Sequence, residues 1–177
     1  MTWLAFALLT AVSWGVYGIF LHIGQTNMGD PVNGRYKAFL LVGVAYFLVA
    51  ILGPLTVLKM NGASWSFPAT GVWWSLIAGI VGAVGAFGVL LAFGAAPKPV
   101  TAYVPVIMSI IFAGAPAVNA FVAMAIHPPS GGLGTVKWPF WLGIVLAAAG
   151  GALVTKYKPD TAPAKSAVAP AVAVPKP

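Results

Sequence analysis

Five long apolar stretches, separated by short segments rich in polar and turn-forming residues, make up most of the chain. A helix needs roughly 20 mostly apolar residues to cross a bilayer hydrocarbon core of about 30 Å. The five stretches are about that long, so the pattern predicts an all-α, polytopic membrane protein with five transmembrane helices. The predicted spans are residues 3–23, 36–58, 72–95, 101–126 and 138–155.

The first stretch is predicted to be a retained span and not a signal peptide, because it lacks a basic n-region and is longer than an h-region. The connections are short or moderate and carry Gly, Pro and Asn, so consecutive spans are expected to be antiparallel neighbours. Residues 1–156 are predicted to form one transmembrane domain. Residues 157–177, "YKPDTAPAKSAVAPAVAVPKP", are predicted to be a disordered cytoplasmic tail.

Basic residues predict the orientation in the membrane. With five spans, two basic residues, Lys59 and Lys137, fall on the side of the N-terminus. Because cytoplasmic loops carry an excess of Lys and Arg, the other side is predicted to be cytoplasmic. The expected location is the cell inner (plasma) membrane, with the N-terminus outside. The cytoplasmic set is Arg35, Lys37, Lys98, Lys156, Lys158, Lys165 and Lys176.

Tryptophans support the same topology. Six of the seven fall on the side with few basic residues, where an interfacial aromatic belt explains them. They are Trp3, Trp65, Trp73, Trp74, Trp138 and Trp141. The exception is Trp14, in the middle of the first span.

Composition narrows the function. The chain is 60% hydrophobic and 6% charged, with two acidic residues, two histidines and no cysteine. No enzyme, cofactor or metal site is therefore predicted. The net charge of +7 lies at helix ends and in the tail, so a nucleic-acid partner is not expected. No charged side chain lies in the centre of a span, which argues against a carboxylate-centred exchanger and favours a neutral or weakly polar solute.

Small residues recur in two spans. Gly79, Gly82, Gly85 and Gly88 follow one another every three residues in the third, and the fifth has Gly143, Ala147 and Gly151 along one face. Glycine lowers helix propensity, so such rows indicate either closely packed helices or space left for a ligand.

The fourth span contains Pro105 and Pro116 together with Ser109 and Asn119. Each proline removes a backbone donor and frees a carbonyl one turn earlier, which predicts a kink that exposes polar backbone to a cavity. An amide in hydrocarbon needs a partner. Asn119 is therefore expected to face protein, either in an interhelical hydrogen bond or as a substrate contact with Ser109.

Trp14, Gly18 and His22 share one face of the first helix, because they are four residues apart. Tyr17 flanks this face. The face could line a polar pathway, or His22 could simply be a solvated histidine near the membrane surface. Tyr46 and Tyr103 are further candidates for the same cavity.

The five spans resemble one EamA-type half of the drug/metabolite transporter superfamily. The resemblance is carried by "SWG" in the first span, an Arg opening the second, the glycine-rich third leading through "AAPKPV" into "TAYVPVIMSIIFAGAPAV", and a closing "WLGIVLAAAGGALV". The stretch "SWGVYGIFLHIGQ" is also similar to sugar- or ureide-type porters of that superfamily. A glutamate that often closes the fourth span of the family is replaced here by "AMAIHPPSGG".

The resemblance implies a transporter of small metabolites built from two five-helix halves around a central cavity. The chain is one half, so it is expected to act as a homodimer or with a second half-transporter subunit. The strong charge bias favours a parallel pair or a separate partner over an antiparallel pair. Alternating access of a small neutral or weakly polar metabolite is the leading hypothesis, and a non-transporting assembly factor or structural subunit is the alternative. The predicted solute contacts are Trp14, Tyr17, Gly18, His22, Tyr46, Tyr103, Ser109 and Asn119.

Overall fold

The computed structural model describes residues 2–159 of the 177-residue chain. These residues are mostly helical, and no strand occurs among them. Five helical spans are long and apolar enough to cross a membrane. The predicted all-α, polytopic fold is confirmed. The predicted disordered tail lies outside the described residues from position 160 onward.

Six α-helices build the five spans over residues 2–159. The second span, Gly34–Met60, combines two of these helices with a π-helical segment, Phe47–Leu52. Single 3-10 turns, Val100–Ala102 and Leu133–Thr135, precede the last two helices. The helices are α1 (Thr2–Thr26), α2 (Gly34–Tyr46), α3 (Gly53–Met60), α4 (Ala69–Ala95), α5 (Val104–Ile126) and α6 (Trp138–Lys156).

The π-helical segment has a local cause. Pro54, at the start of α3, has no N–H to donate to the carbonyl of Ala50 one turn earlier. Widening of the helix over Phe47–Leu52 takes up this break without ending the span.

The bundle has two distinct ends. We call the end that carries Arg35, Lys37, Lys98 and Lys156 the basic end, and the end that carries Trp3, Trp65, Trp73, Trp74 and Trp138 the tryptophan end. The buried side chains lie within a few turns of the basic end, where α1, α2, α4 and α5 meet. Leu90 and Phe93 are the largest fully covered ones. We call this set the buried cluster: Leu21, Ala38, Val89, Leu90, Phe93, Val104 and Met108.

Towards the tryptophan end α3 and α4 are exposed, whereas α5 and α6 stay in contact, with the ring centroids of Phe121 and Trp141 5.9 Å apart. Residues 69–85 of α4 include no buried residue, and neither does α3. α6 lies apart from the buried cluster and packs mainly along α5. The bundle is therefore tight at the basic end and exposed along α3 and α4 at the tryptophan end.

Candidate functional site

A cavity of about 750 Å³ lies between α1, α4 and α5 in the membrane-spanning part of the fold. α1 contributes Trp14 and Thr10, one turn apart, and α5 contributes apolar side chains together with Phe112. The wall from α4 is formed largely by Gly82, Gly85 and Gly88. We call this space the Trp14 cavity.

The glycine row of α4 leaves space and does not pack against another helix. A Cβ added at Gly82, Gly85 or Gly88 would have no heavy atom within 4 Å, apart from its own helix backbone and chain neighbours. Close packing needs the opposite, a backbone or side chain within van der Waals distance. Among the described residues, these three glycines therefore widen the cavity.

Trp14 forms the aromatic side of the cavity. Its half-buried ring lies 5.5 Å, centroid to centroid, from the ring of Tyr17, with the planes tilted by 52°. An indole face of this kind offers a large, rigid surface on which a flat solute can stack.

Few polar groups reach the cavity. The Thr10 hydroxyl already donates to the carbonyl of Phe6 at 2.9 Å. Pro116 lies inside α5 and has no N–H, so the carbonyl of Phe112 lacks its α-helical donor. The cavity wall is therefore aromatic and apolar, and one lining residue, Phe112, has a carbonyl without its α-helical donor.

The buried cluster closes the cavity towards the basic end. Gly18 of α1 sits so near Met108 of α5 that an added Cβ would lie 2.7 Å from the methionine Sδ. Val89 belongs both to the cavity wall and to the buried cluster. Gly18 is thus a helix-packing position, and its contact with Met108 closes the Trp14 cavity on the side of the basic end.

A second, polar pocket of about 590 Å³ lies at the basic end, and we call it the basic-end pocket. His22 lines it, with Nδ1 3.1 Å from the Nε2 of Gln25 and its ring edge-on to Phe93. Arg35 and Lys98 also line it. His22 therefore faces a different space from Trp14, although the two share a helix face.

Asp30 lines the basic-end pocket, and both of its carboxylate oxygens accept hydrogen bonds. Its Oδ2 accepts a 2.7 Å hydrogen bond from the Lys37 ammonium, and its Oδ1 accepts from the N–H groups of Val32 and Asn33. The bond from Lys37, with the backbone bonds, lowers the pKa of Asp30 from 3.8 to about 2. Asp30 therefore carries its charge throughout the physiological range, with Lys37 as its counter-ion.

Tyr17 faces a third space, a groove between α1 and α2. Its hydroxyl is covered and has no hydrogen-bond partner among residues 2–159. Tyr46, in the second span, is 49% exposed. These two tyrosines lie outside the wall of the Trp14 cavity.

The remaining three candidates are dispersed. Tyr103 lies in the turn before α5, half-buried, with the Lys158 ammonium 4.9 Å from its ring centroid. The Ser109 carbonyl oxygen is 3.3 Å from the Cβ position of Gly151, so this part of α5 faces α6. Asn119 is exposed and forms no hydrogen bond with any residue between 2 and 159. Of the eight predicted contacts, only Trp14 lines the Trp14 cavity.

Two cavity residues were not predicted as solute contacts although the sequence carries a signal for each. Thr10 precedes Trp14 by four residues and so lies on the same helix face. Phe112 precedes Pro116 by four residues, which is where a proline frees a carbonyl. No three His, Cys, Asp or Glu side chains are grouped closely enough to hold a metal ion in the part of the chain that the structure describes.

Comparisons of the chain with protein-family models, with curated proteins and with solved structures find no match. The resemblance to an EamA-type half therefore stays a prediction from the quoted motifs.

Proposed function

We propose that the chain is a half-size, EamA-like transporter that moves a small, neutral or weakly polar metabolite by alternating access. It would do so in the inner membrane, with the basic end cytoplasmic. The observation that carries the proposal is the Trp14 ring opposite a row of α4 glycines that meet no neighbour. A sealed structural bundle would fill such a space with side chains, because protein interiors are close-packed.

The cavity wall suggests the chemistry of the solute. Trp14 favours a flat apolar face, and the glycines let the solute approach the backbone of α4. The Phe112 carbonyl can accept one hydrogen bond, whereas no charged side chain lines the cavity. A planar, uncharged molecule with a hydrogen-bond donor fits this wall better than a polyol, which would leave several hydroxyls unpaired.

The shape suggests how access alternates. The buried cluster blocks the cavity towards the basic end, while residues 69–85 of α4 are unpacked near the tryptophan end. Under this proposal the geometry would be one open state of the transport cycle. A second five-helix unit, either another copy or a separate subunit, would complete the cavity wall, as the half-size architecture requires.

The alternative is a non-transporting membrane protein, such as an assembly factor or a structural subunit. Packing at Gly18 and Gly151 favours it, since both glycines bring helices together. Under this alternative the α4 glycines would be covered by another chain and closed to solutes.

Cysteine labelling separates the two functions, because the chain is naturally free of cysteine. Gly85→Cys places a thiol in the Trp14 cavity. The control is Val84→Cys, because Val84 is 65% exposed and does not line the Trp14 cavity. In proteoliposomes, a water-soluble maleimide is expected to label position 85 about tenfold faster than position 84, because only a hydrated pathway sustains the thiolate. A panel of planar neutral metabolites should include one that protects position 85.

Uptake of that protecting metabolite completes the test. Trp14→Ala should abolish uptake with the fold intact, and the matched control Trp74→Ala, at the tryptophan end, should retain it. Equal, slow labelling at positions 84 and 85, with no uptake from the panel by a well-folded protein, would refute the transporter and support the alternative.

A further inference from the structure

The basic-end pocket is separate from the proposed transport cavity. Charged and polar side chains line it, although only 6% of the residues in this chain are charged. Arg35 comes from the start of α2 and Lys98 from the connection between α4 and α5. His22, Gln25 and Thr26, from the end of α1, and Asp30, from the following loop, also belong to its polar wall. Segments distant in sequence thus bring two cations to one concave site of about 590 Å³.

Arg35 is held in place without a polar partner. Its guanidinium carbon lies 5.0 Å from the centroid of the Tyr36 ring, and its Nη1 lies close to Gly94, where an added Cβ would displace it. The Nε is covered. Arg35 forms neither a hydrogen bond nor an ion pair with any residue between 2 and 159. Packing therefore orients the guanidinium while its hydrogen-bonding capacity stays unused.

The positive charge is also uncompensated within the described residues. Asp30 is their only carboxylate side chain, and it is bound to Lys37 and to two backbone N–H groups. The other acidic residue of the chain, Asp160, lies outside the described part. Asp30 lines the same pocket but is paired with Lys37, so Arg35 and Lys98 face the pocket without an ion pair to any residue between 2 and 159.

Gln25 adds a hydrogen-bond acceptor to the pocket that Arg35 and Lys98 line. Its Nε2 lies 3.1 Å from the Nδ1 of His22, and its Oε1 is covered without a hydrogen-bond partner in the described residues. A covered acceptor without a partner is costly unless a donor reaches it. The wall therefore combines two cationic donors with one acceptor that has no partner in the described residues, beside an Asp30 carboxylate that already accepts from Lys37 and two backbone N–H groups.

We propose that the basic-end pocket binds the phosphate group of an anionic ligand. The planar fork of Arg35 matches two phosphate oxygens, and Lys98 adds a point charge. Gln25 lines the same pocket, and a rotation of its side chain would let the covered Oε1 accept from the hydroxyl of a singly protonated phosphate. The pocket is larger than a phosphate group, so it has room for the rest of the ligand, which is either a soluble phosphate ester or the headgroup of an anionic lipid. This inference is independent of the proposed transport.

Thermal unfolding of the purified full chain in a neutral maltoside detergent tests the first source, with inorganic phosphate as the probe. Phosphate should raise the Tm saturably, and Arg35→Gln and Lys98→Gln should each weaken the apparent affinity about tenfold. The matched control is Lys156→Gln, which removes the same charge at the same end but outside this pocket. It should behave as the unmodified protein does.

Nanodiscs test the second source. Phosphatidylglycerol, compared with phosphatidylcholine, should raise the Tm of the unmodified protein and of Lys156→Gln but not of Arg35→Gln. A response to inorganic phosphate identifies a soluble ligand, and a response to phosphatidylglycerol alone identifies a headgroup site. No response to either probe overturns the proposal. Equal losses in Lys156→Gln and Arg35→Gln also overturn it, since surface charge alone would then explain the binding.

Two further variants guard against misfolding. If Arg35→Gln does not elute as a folded, monodisperse species, Lys98→Gln, whose parent side chain is exposed, carries the comparison. Arg35→Lys keeps the charge and loses the fork, so its phosphate affinity should lie between those of the unmodified protein and Arg35→Gln.

Discussion

Glycines act in opposite ways in two regions of this bundle. At Gly18 and Gly151 an added Cβ would lie 2.7 Å from the Met108 Sδ and 2.8 Å from the Ala113 Cβ, so these glycines let α1 and α6 pack on α5. At Gly85 and its neighbours in the α4 row an added Cβ would touch nothing within 4 Å. A glycine row by itself thus indicates neither packing nor a cavity, because the opposing surface decides.

The two ends of the bundle also differ in how closely their helices pack. The buried cluster holds the basic end together, whereas the tryptophan end of α3 and α4 has no buried residue. In water such splayed apolar helices would be driven together by the hydrophobic effect. Lipid tails are as apolar as the side chains, so separation costs little in a membrane. An open cavity beside the buried cluster is therefore compatible with a stable protein.

The largest effect on stability is expected from emptying the buried cluster. Phe93 is 1% exposed and contacts the edge of His22. Phe93→Ala should lower the free energy of unfolding by about 3 kcal/mol, which is the low end for such a truncation. Lipid solvates the side chain in the unfolded state, so the loss comes mainly from the cavity that the truncation leaves in the folded protein. Denaturant titration in mixed micelles measures it.

The control for Phe93→Ala is Trp74→Ala, at the tryptophan end. Trp74 is 65% exposed, so its loss should change the unfolding free energy by less than about 1 kcal/mol. Equal losses for the two variants would show that the basic end is no better packed than the tryptophan end.

A smaller effect should distinguish the two kinds of glycine. Gly18→Leu forces a side chain against Met108 and is expected to cost about 2 kcal/mol. Gly85→Leu has room in the Trp14 cavity and improves helix propensity, so it should be neutral or slightly stabilising. The same unfolding assay compares them. A destabilised Gly85→Leu would mean that another surface covers the α4 glycines.

The smallest effect concerns Asp30, which joins α2 to the loop before it. Its pKa is lowered in the folded state, so its stabilisation is complete above 3.8 and is lost as the pH falls towards 2. Asp30→Asn should slightly lower the Tm at pH 7 and remove part of the Tm loss between pH 4 and about 2. An unchanged acid profile would show that Lys37 contributes nothing through this carboxylate.

Helix positions could be predicted from the sequence because hydrophobic length and turn residues are local properties. The predicted first and fourth spans, residues 3–23 and 101–126, differ by a few residues from the helical spans Thr2–Thr26 and Val100–Ile126. The π-helical segment at Phe47–Leu52 was not predicted, although Gly53 and Pro54 mark the position where the hydrogen-bond ladder breaks.

The sequence by itself determined which residues share a helix face, and only the tertiary structure decided what lies opposite each of them. Trp14, Gly18 and His22 are spaced for one face of α1, as predicted, yet they meet a cavity, Met108 and the basic-end pocket in turn. The reason is physical: helical periodicity is set by neighbours along the chain. The space beside each turn is set by how distant helices converge at the basic end and separate towards the tryptophan end.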